Sequence, residues 1–169
     1  MAWTAFPTWV VGQVSTASDW NTYVAANMNF LATPPICRVY RSANYGSASS
    51  ANPCPFDTVE VDSASGYSTG TAKYTVQVAG SYLVVVSWNL ASASDGIYFS
   101  TSIVHNGTPV AINEGVQNGY AGNVQAIVTD VIPSCAVNDT IWGAYSCQSS
   151  LNTAPGAALC YMTIVKVGN

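Results

Sequence analysis

The sequence predicts an all-β domain of the antiparallel sandwich or jelly-roll class, and three observations carry that prediction. Around Ala79-Gly80 the chain reads as two strands broken by a tight turn. Tyr74, Val76 and Val78 alternate with polar neighbours before it, and Tyr82, Val84, Val86 and Trp88 resume the alternation after it. Period two is the spacing of a strand with one buried face. From Ile36 onward, similar runs recur at short intervals between Gly, Asn, Pro and Ser clusters, and no helical pattern interrupts them.

The first element differs from the rest. Residues 1–35 combine an aromatic arm with a short helix. Thr16-Ala17-Ser18-Asp19 spells a capping box, with Asp19 placed at the positive end of the helix. Trp20, Val24, Asn27/Met28 and Leu31 then follow at helical spacing, and Pro34-Pro35 stops the helix. A helix of about 15 residues is marginal alone in water, so its apolar stripe needs something to dock on, either its own domain or a neighbouring subunit or scaffold. Trp3, Phe6, Trp9, Trp20, Tyr23 and Phe30 crowd this segment. Aromatic side chains of this kind supply contact area at interfaces. They are the expected partner-binding residues of an anchoring arm.

Strands are expected at Cys37–Ser42, Thr58–Val61, Ala72–Val78, Ser81–Leu90, Ile97–His105, Val110–Ile112, Asn123–Ile132, Thr140–Cys147 and Ala158–Val167. Asn106-Gly107 is a two-residue hairpin signal, and Ser47–Ser50 reads as a surface loop. Two units follow: an arm over residues 1–35 and a β domain over residues 36–169. Within the core, Tyr82, Val84, Val86, Trp88, Trp142 and Tyr145 are expected to be mostly buried. Trp142 and Tyr145 have opposite parity, so one of them must face away from the common core.

Composition narrows the function classes. Hydrophobic residues make up 49% of the chain and charged residues 7%, where soluble domains typically carry about a quarter. A Ser, Thr and Asn coat with so little charge suits a protein that lives in an assembly. Four basic residues against a net charge of −4 cannot neutralise a run of phosphates, so nucleic acid is not an expected partner. No apolar run approaches the length of a membrane span, and Met1–Pro7 lacks the basic-then-apolar pattern of a secretory signal. A membrane partner is not expected, and the simpler reading is a cytosolic origin. Five cysteines, odd in number and without a C-x-x-C spacing, read mainly as buried free thiols. The alternative is one disulfide, with Cys37 and Cys54 as a candidate pair.

Catalytic chemistry finds little support. His105 is the one imidazole and sits directly before the Asn106-Gly107 turn, where a turn-flanking polar role fits better than a triad. There is no nucleophile elbow and no Lys-bearing phosphate loop, so neither an enzyme nor a cofactor is expected. Asp57, Glu60 and Asp62 form the one acidic cluster, read as a solvated edge or as hard-cation ligands such as calcium would take. Asn106-Gly107-Thr108 and Asn138-Asp139-Thr140 match the glycosylation pattern but also read as turns.

Taken in order, Pro55-Phe56-Asp57-Thr58-Val59, Gly66-Tyr67, Tyr74 to Tyr82, His105-Asn106-Gly107, Asn138-Asp139-Thr140-Ile141-Trp142 and Leu159–Val167 resemble the tumour necrosis factor and complement globular-head superfamily. The resemblance covers about three quarters of the chain. It departs at Asn138, where the family has Gly, and at Cys160-Tyr161-Met162, which replaces a Phe-Ser-Gly-like spelling. It implies a ten-strand jelly roll forming compact trimers for binding or scaffolding. Separately, Trp9-Val10-Val11-Gly12-Gln13-Val14-Ser15-Thr16-Ala17-Ser18-Asp19-Trp20-Asn21-Thr22-Tyr23 resembles the opening of many tailed-bacteriophage virion proteins.

Together these readings lead to a non-enzymatic bacteriophage virion protein. The expected form is a homotrimeric capsid decoration (cement) protein, docked by its arm on the major capsid protein or another virion scaffold. It would assemble in the host cytoplasm and reside on the virion surface. The lack of a shaft or fibre repeats favours decoration over the alternative, a receptor- or glycan-binding knob of a tail or baseplate appendage. A small hydrolase is the third reading, and the scarcity of His, Lys and acidic pairs argues against it.

Overall fold

A computed structural model of the chain describes residues 5–45, 48–118 and 122–168. The helical segment begins where the capping box places it. The Thr16 hydroxyl accepts from the Asp19 amide at 3.2 Å, and the Asp19 carboxylate accepts from the Thr16 amide at 2.7 Å. Those hydrogen bonds hold the Asp19 carboxyl below its usual range. The segment runs through α1 (Ala17–Asp19), a π-helical stretch Trp20–Ala25 and α2 (Ala26–Ala32). The wider π turn alters which side chains share a face. Asn27 and Phe30 turn inward, while Trp20, Met28 and Leu31 stay exposed.

Eleven strands follow, in two antiparallel layers. The strands are β1 (Ile36–Tyr40), β2 (Ala48–Ala51), β3 (Thr58–Asp62), β4 (Tyr67–Ser68), β5 (Lys73–Thr75), β6 (Gly80–Ala93), β7 (Tyr98–His105), β8 (Thr108–Val116), β9 (Gly122–Cys135), β10 (Thr140–Thr153) and β11 (Tyr161–Gly168). The first sheet runs β3-β1-β11-β6-β9, and the second joins β4, β5, β10, β7 and β8, with β2 also on β10. The far end of β10 reaches β6 through Asn152 and Thr153, which links the layers. This is the expected antiparallel jelly roll with its preceding arm and short helix.

Each alternating run buries one face. Tyr82, Val84 and Val86 are fully buried in β6, and Trp88 stacks on Tyr145 at 4.7 Å with Phe56 edge-on at 5.6 Å. Trp142, of opposite parity, lies with Val104 and Ala144 in a small cluster on the other side of the second sheet. Its indole donates to Asn52 Oδ1 at 2.6 Å, and the Lys73 ammonium lies 3.9 Å above its ring. The parity conflict is thus resolved by a second cluster.

Several expectations are corrected. The break at Ala79-Gly80 is not a hairpin, because β5 pairs with β10 and β6 pairs with β11 and β9. The chain changes sheets there. β5 ends at Thr75, since Val76 bonds the β9–β10 turn through Asp139 O and Asn138 N. Ala158–Cys160 forms a turn ahead of β11, and Ala48–Ala51, which overlaps the loop expected at Ser47–Ser50, pairs with β10. Asn106-Gly107 does close a two-residue hairpin, both residues having positive φ (49° and 89°), as its twist demands. Asn138 also has a positive φ, 76°. Asparagine tolerates that left-handed conformation better than other side-chain-bearing residues do.

All five cysteines are free and buried. Burial pushes the Cys37 thiol up to about 12 and those of Cys135 and Cys160 to about 11. The native protein is therefore expected to resist thiol reagents at neutral pH, where the thiolate is the reactive form. After denaturation, titration should count five thiols. A count lower by two would establish a disulfide.

Candidate interaction surfaces

The arm folds back on its own helix. Val10 and Gln13 close a tight turn through Gln13 N to Val10 O at 3.0 Å, with Gly12 at φ 88°. Phe6 then lies 6.1 Å from the Tyr23 ring, and the Trp20 indole donates to Ser15 Oγ at 3.1 Å. The result is a cavity of about 340 Å³ lined by Phe6, Trp9, Trp20, Tyr23 and Val24, among others. Four of the six expected partner-binding residues thus meet at one place. Phe6, Trp9 and Trp20 keep 54%, 40% and 57% of their surface exposed, well above what a core aromatic retains.

The other two are placed differently. Trp3 lies outside the described residues. Phe30 is 6% exposed, and the buried Lys166 ammonium sits 4.3 Å over its ring. Phe30 therefore packs against its own β domain, where it partners a cation that burial holds below its ordinary pKa. Val10, Val11 and Val14, not singled out in the sequence, are strongly exposed beside the cavity. The Val10-Val11 pair at an otherwise polar turn was the available signal.

A second surface covers the solvent face of the first sheet. Strand register aligns Ile36, Val165, Leu83 and Val131 in one row, and Arg38, Thr163, Val85 and Thr129 in the next. Tyr40, Tyr161, Ser87 and Ile127 form a third, in which Ser87 is buried and hydrogen-bonded to Leu159 O and Gln125 Nε2. Arg38 is the one charged side chain in these rows. It is spent locally, 2.7 Å from Glu60 and 4.6 Å from the Tyr161 ring. At the rim, β8 and β9 form adjoining edges tied by Asn113 Nδ2 to Ile127 O at 2.8 Å. Val110, Ile112, Ile127 and Val131 remain exposed along that rim. An exposed apolar edge beside an apolar sheet face is a liability unless another chain covers both.

The acidic residues do not converge. Asp57 pairs with Arg41 at 2.9 Å, Glu60 with Arg38, and Asp62 accepts from the Tyr67 amide at 2.7 Å. His105 flanks its turn as expected, with Nε2 3.0 Å from Asp139 Oδ2. Asp139 also accepts from Asn106 Nδ2 at 2.8 Å and from the Ala136 amide at 2.9 Å. Those bonds, the Asn106 one foremost, hold its carboxyl below the usual range. Among the described residues, no helix is long and apolar enough to cross a membrane.

No protein-family model matches the chain, and no curated protein matches it. Solved structures do share its fold. Murine APRIL at pH 5.0 superposes with a TM-score of 0.60 at 10% identity, covering 80% of this chain and 100% of that one. Eiger TNF from S. frugiperda gives 0.58 at 11% identity over 81% and 95% of the two chains. The globular domain of zebrafish complement 1qA gives 0.57 at 13% identity over 81% and 100%. The chain therefore has the TNF-like and complement-head jelly-roll fold.

Proposed function

We propose that this protein is a non-enzymatic virion protein of a tailed bacteriophage, a homotrimeric knob that decorates the capsid. The observation that carries the assembly is the first sheet's nearly charge-free outer face beside the apolar β8–β9 edge. In the proposed trimer the apolar edge of one copy meets the outer face of the next. Such a head-to-tail contact closes into a ring when the rotation allows it. The fold shared with APRIL, Eiger and the complement head supports a binding or scaffolding role over catalysis. The arm, with its aromatic cavity and its phage-like spelling, would seat the knob on the major capsid protein. Five buried free thiols fit assembly in a reducing host cytoplasm.

Light scattering of the full chain is expected to give three times the chain mass of 17.7 kDa. A monomer at micromolar concentration would overturn the assembly. Immunogold micrographs of virions should then label the head. Label confined to the tail tip would replace decoration with a receptor- or glycan-binding knob.

A further inference from the structure

We propose that His105, Cys135 and Asp139 form a binding site for a borderline-soft divalent cation, with zinc as the best fit. One ligand atom from each residue lies within 4.8 Å of the other two. They come from separate segments: His105 ends β7, Cys135 ends β9, and Asp139 lies in the turn before β10. Strand register holds His105 opposite Ile141 and Cys135 opposite Gly80, and backbone bonds fix the turns beside them. Asn106 N donates to Thr140 O at 2.9 Å, Asp139 N to Ala136 O at 3.1 Å, and Asn138 N to Val76 O at 2.9 Å. Scattered residues are thereby presented together at one end of the sandwich.

The geometry is close to what a tetrahedral ion needs. Two ligands at about 2.0 Å from zinc lie roughly 3.3 Å apart. His105 Nε2 and Asp139 Oδ2 are 3.0 Å apart. Seating the sulfur requires an approach of about 1 Å, since a zinc–sulfur bond is near 2.3 Å. The Cys135 thiol is held by a weak bond to Ile132 O at 3.7 Å, which such a movement would give up. On coordination the thiol proton leaves to solvent and the thiolate sulfur binds the ion.

Neighbouring groups are arranged to support the ligands. The Ala136 amide donates to Asp139 Oδ2, and Asn106 Nδ2 donates to Oδ1, which fixes the carboxylate plane. His105 and Asp139 each keep 21% of their side-chain surface exposed, leaving a path for the ion and a fourth position for water. One sulfur, one imidazole and one carboxylate favour zinc over magnesium or calcium, which take oxygen donors.

The test uses the full-length protein after treatment with a chelator. Titration with Co²⁺ should show one equivalent per chain, with visible bands of tetrahedral intensity and a near-ultraviolet thiolate-to-cobalt charge-transfer band. Zn²⁺ should displace the cobalt and bleach both. Cys135→Ser should lose the charge-transfer band, and His105→Ala should weaken binding by at least roughly tenfold. Circular dichroism and light scattering confirm that each variant is folded and assembled. His105→Ala alters a partly exposed residue at a turn, so it keeps the test decisive if Cys135→Ser fails to fold. No charge-transfer band in the unaltered protein, or the same affinity after His105→Ala, would overturn the site. In that case the three residues serve as a turn clamp alone.

Discussion

Val85→Asp is expected to convert the trimer to monomers while leaving the jelly roll folded. Val85 lies in the middle row of the first sheet's outer face, between Thr163 and Thr129, and is half-buried in the isolated chain. A carboxylate there meets water in the monomer, so the local cost is the loss of a β-branched residue, up to about 1 kcal/mol. In the proposed trimer the same carboxylate is taken out of water without a cation to receive it, because Arg38 is engaged by Glu60. Desolvating an unpaired charge costs several kcal/mol, and three-fold symmetry repeats that cost at every interface. Light scattering should fall to the chain mass, and far-UV circular dichroism should be unchanged. Thr71→Asp, on an exposed turn, adds the same charge and should leave the trimer intact. If Val85→Asp stays trimeric, the sheet face is not the interface.

That face also marks the limit of what the sequence discloses. β6 is legible because Tyr82, Val84, Val86 and Trp88 recur at period two in a run of β-branched and aromatic residues, with Leu83 and Val85 between them apolar as well. Which residues lie beside Leu83 and Val85 depends on β11 and β9, which are distant in sequence, so the three rows appear once the register is known. β2 escaped notice because Ala48-Ser49-Ser50-Ala51 has no apolar alternation and owes its pairing to β10. β8 extends over Thr108–Val116, beyond the expected Val110–Ile112, because Asn113 and Glu114 look like loop in sequence yet are tolerated in an edge strand. The extension of β10 beyond Cys147 through Gln148 to Thr153 was hidden by polar side chains. Its partners β2 and β6 supply the backbone hydrogen bonds that hold it.

The arm divides along the same line. Its aromatic density and capping box are local and were readable, whereas the π-helical stretch has no spelling of its own. That stretch decides that Phe30 turns toward Lys166 while Trp20 stays out. The metal-ligand trio was likewise invisible as a set. His105 was read with its neighbours in sequence, and Cys135 as one of five buried thiols.

Trp9→Ala with Trp20→Ala is expected to abolish incorporation into particles while the knob remains folded and trimeric. Both indoles line the arm cavity and are more than one-third exposed, so their truncation removes little from the core. Buried tryptophan anchors commonly cost about 2 kcal/mol or more when cut back. Two such losses, if independent, weaken docking roughly a thousandfold. Phe30→Ala provides the contrast. Phe30 is buried against Lys166, and losing it should lower knob stability by about 1.5–3 kcal/mol. Copies of that variant that remain folded should still dock. Competition assays with unlabelled particles would separate the two effects, since docking and melting temperature are read independently. Normal incorporation of the double variant would sink the arm as the anchor. Equal losses in both variants would mean that the helix as a whole, and not the aromatic cavity, carries the contact.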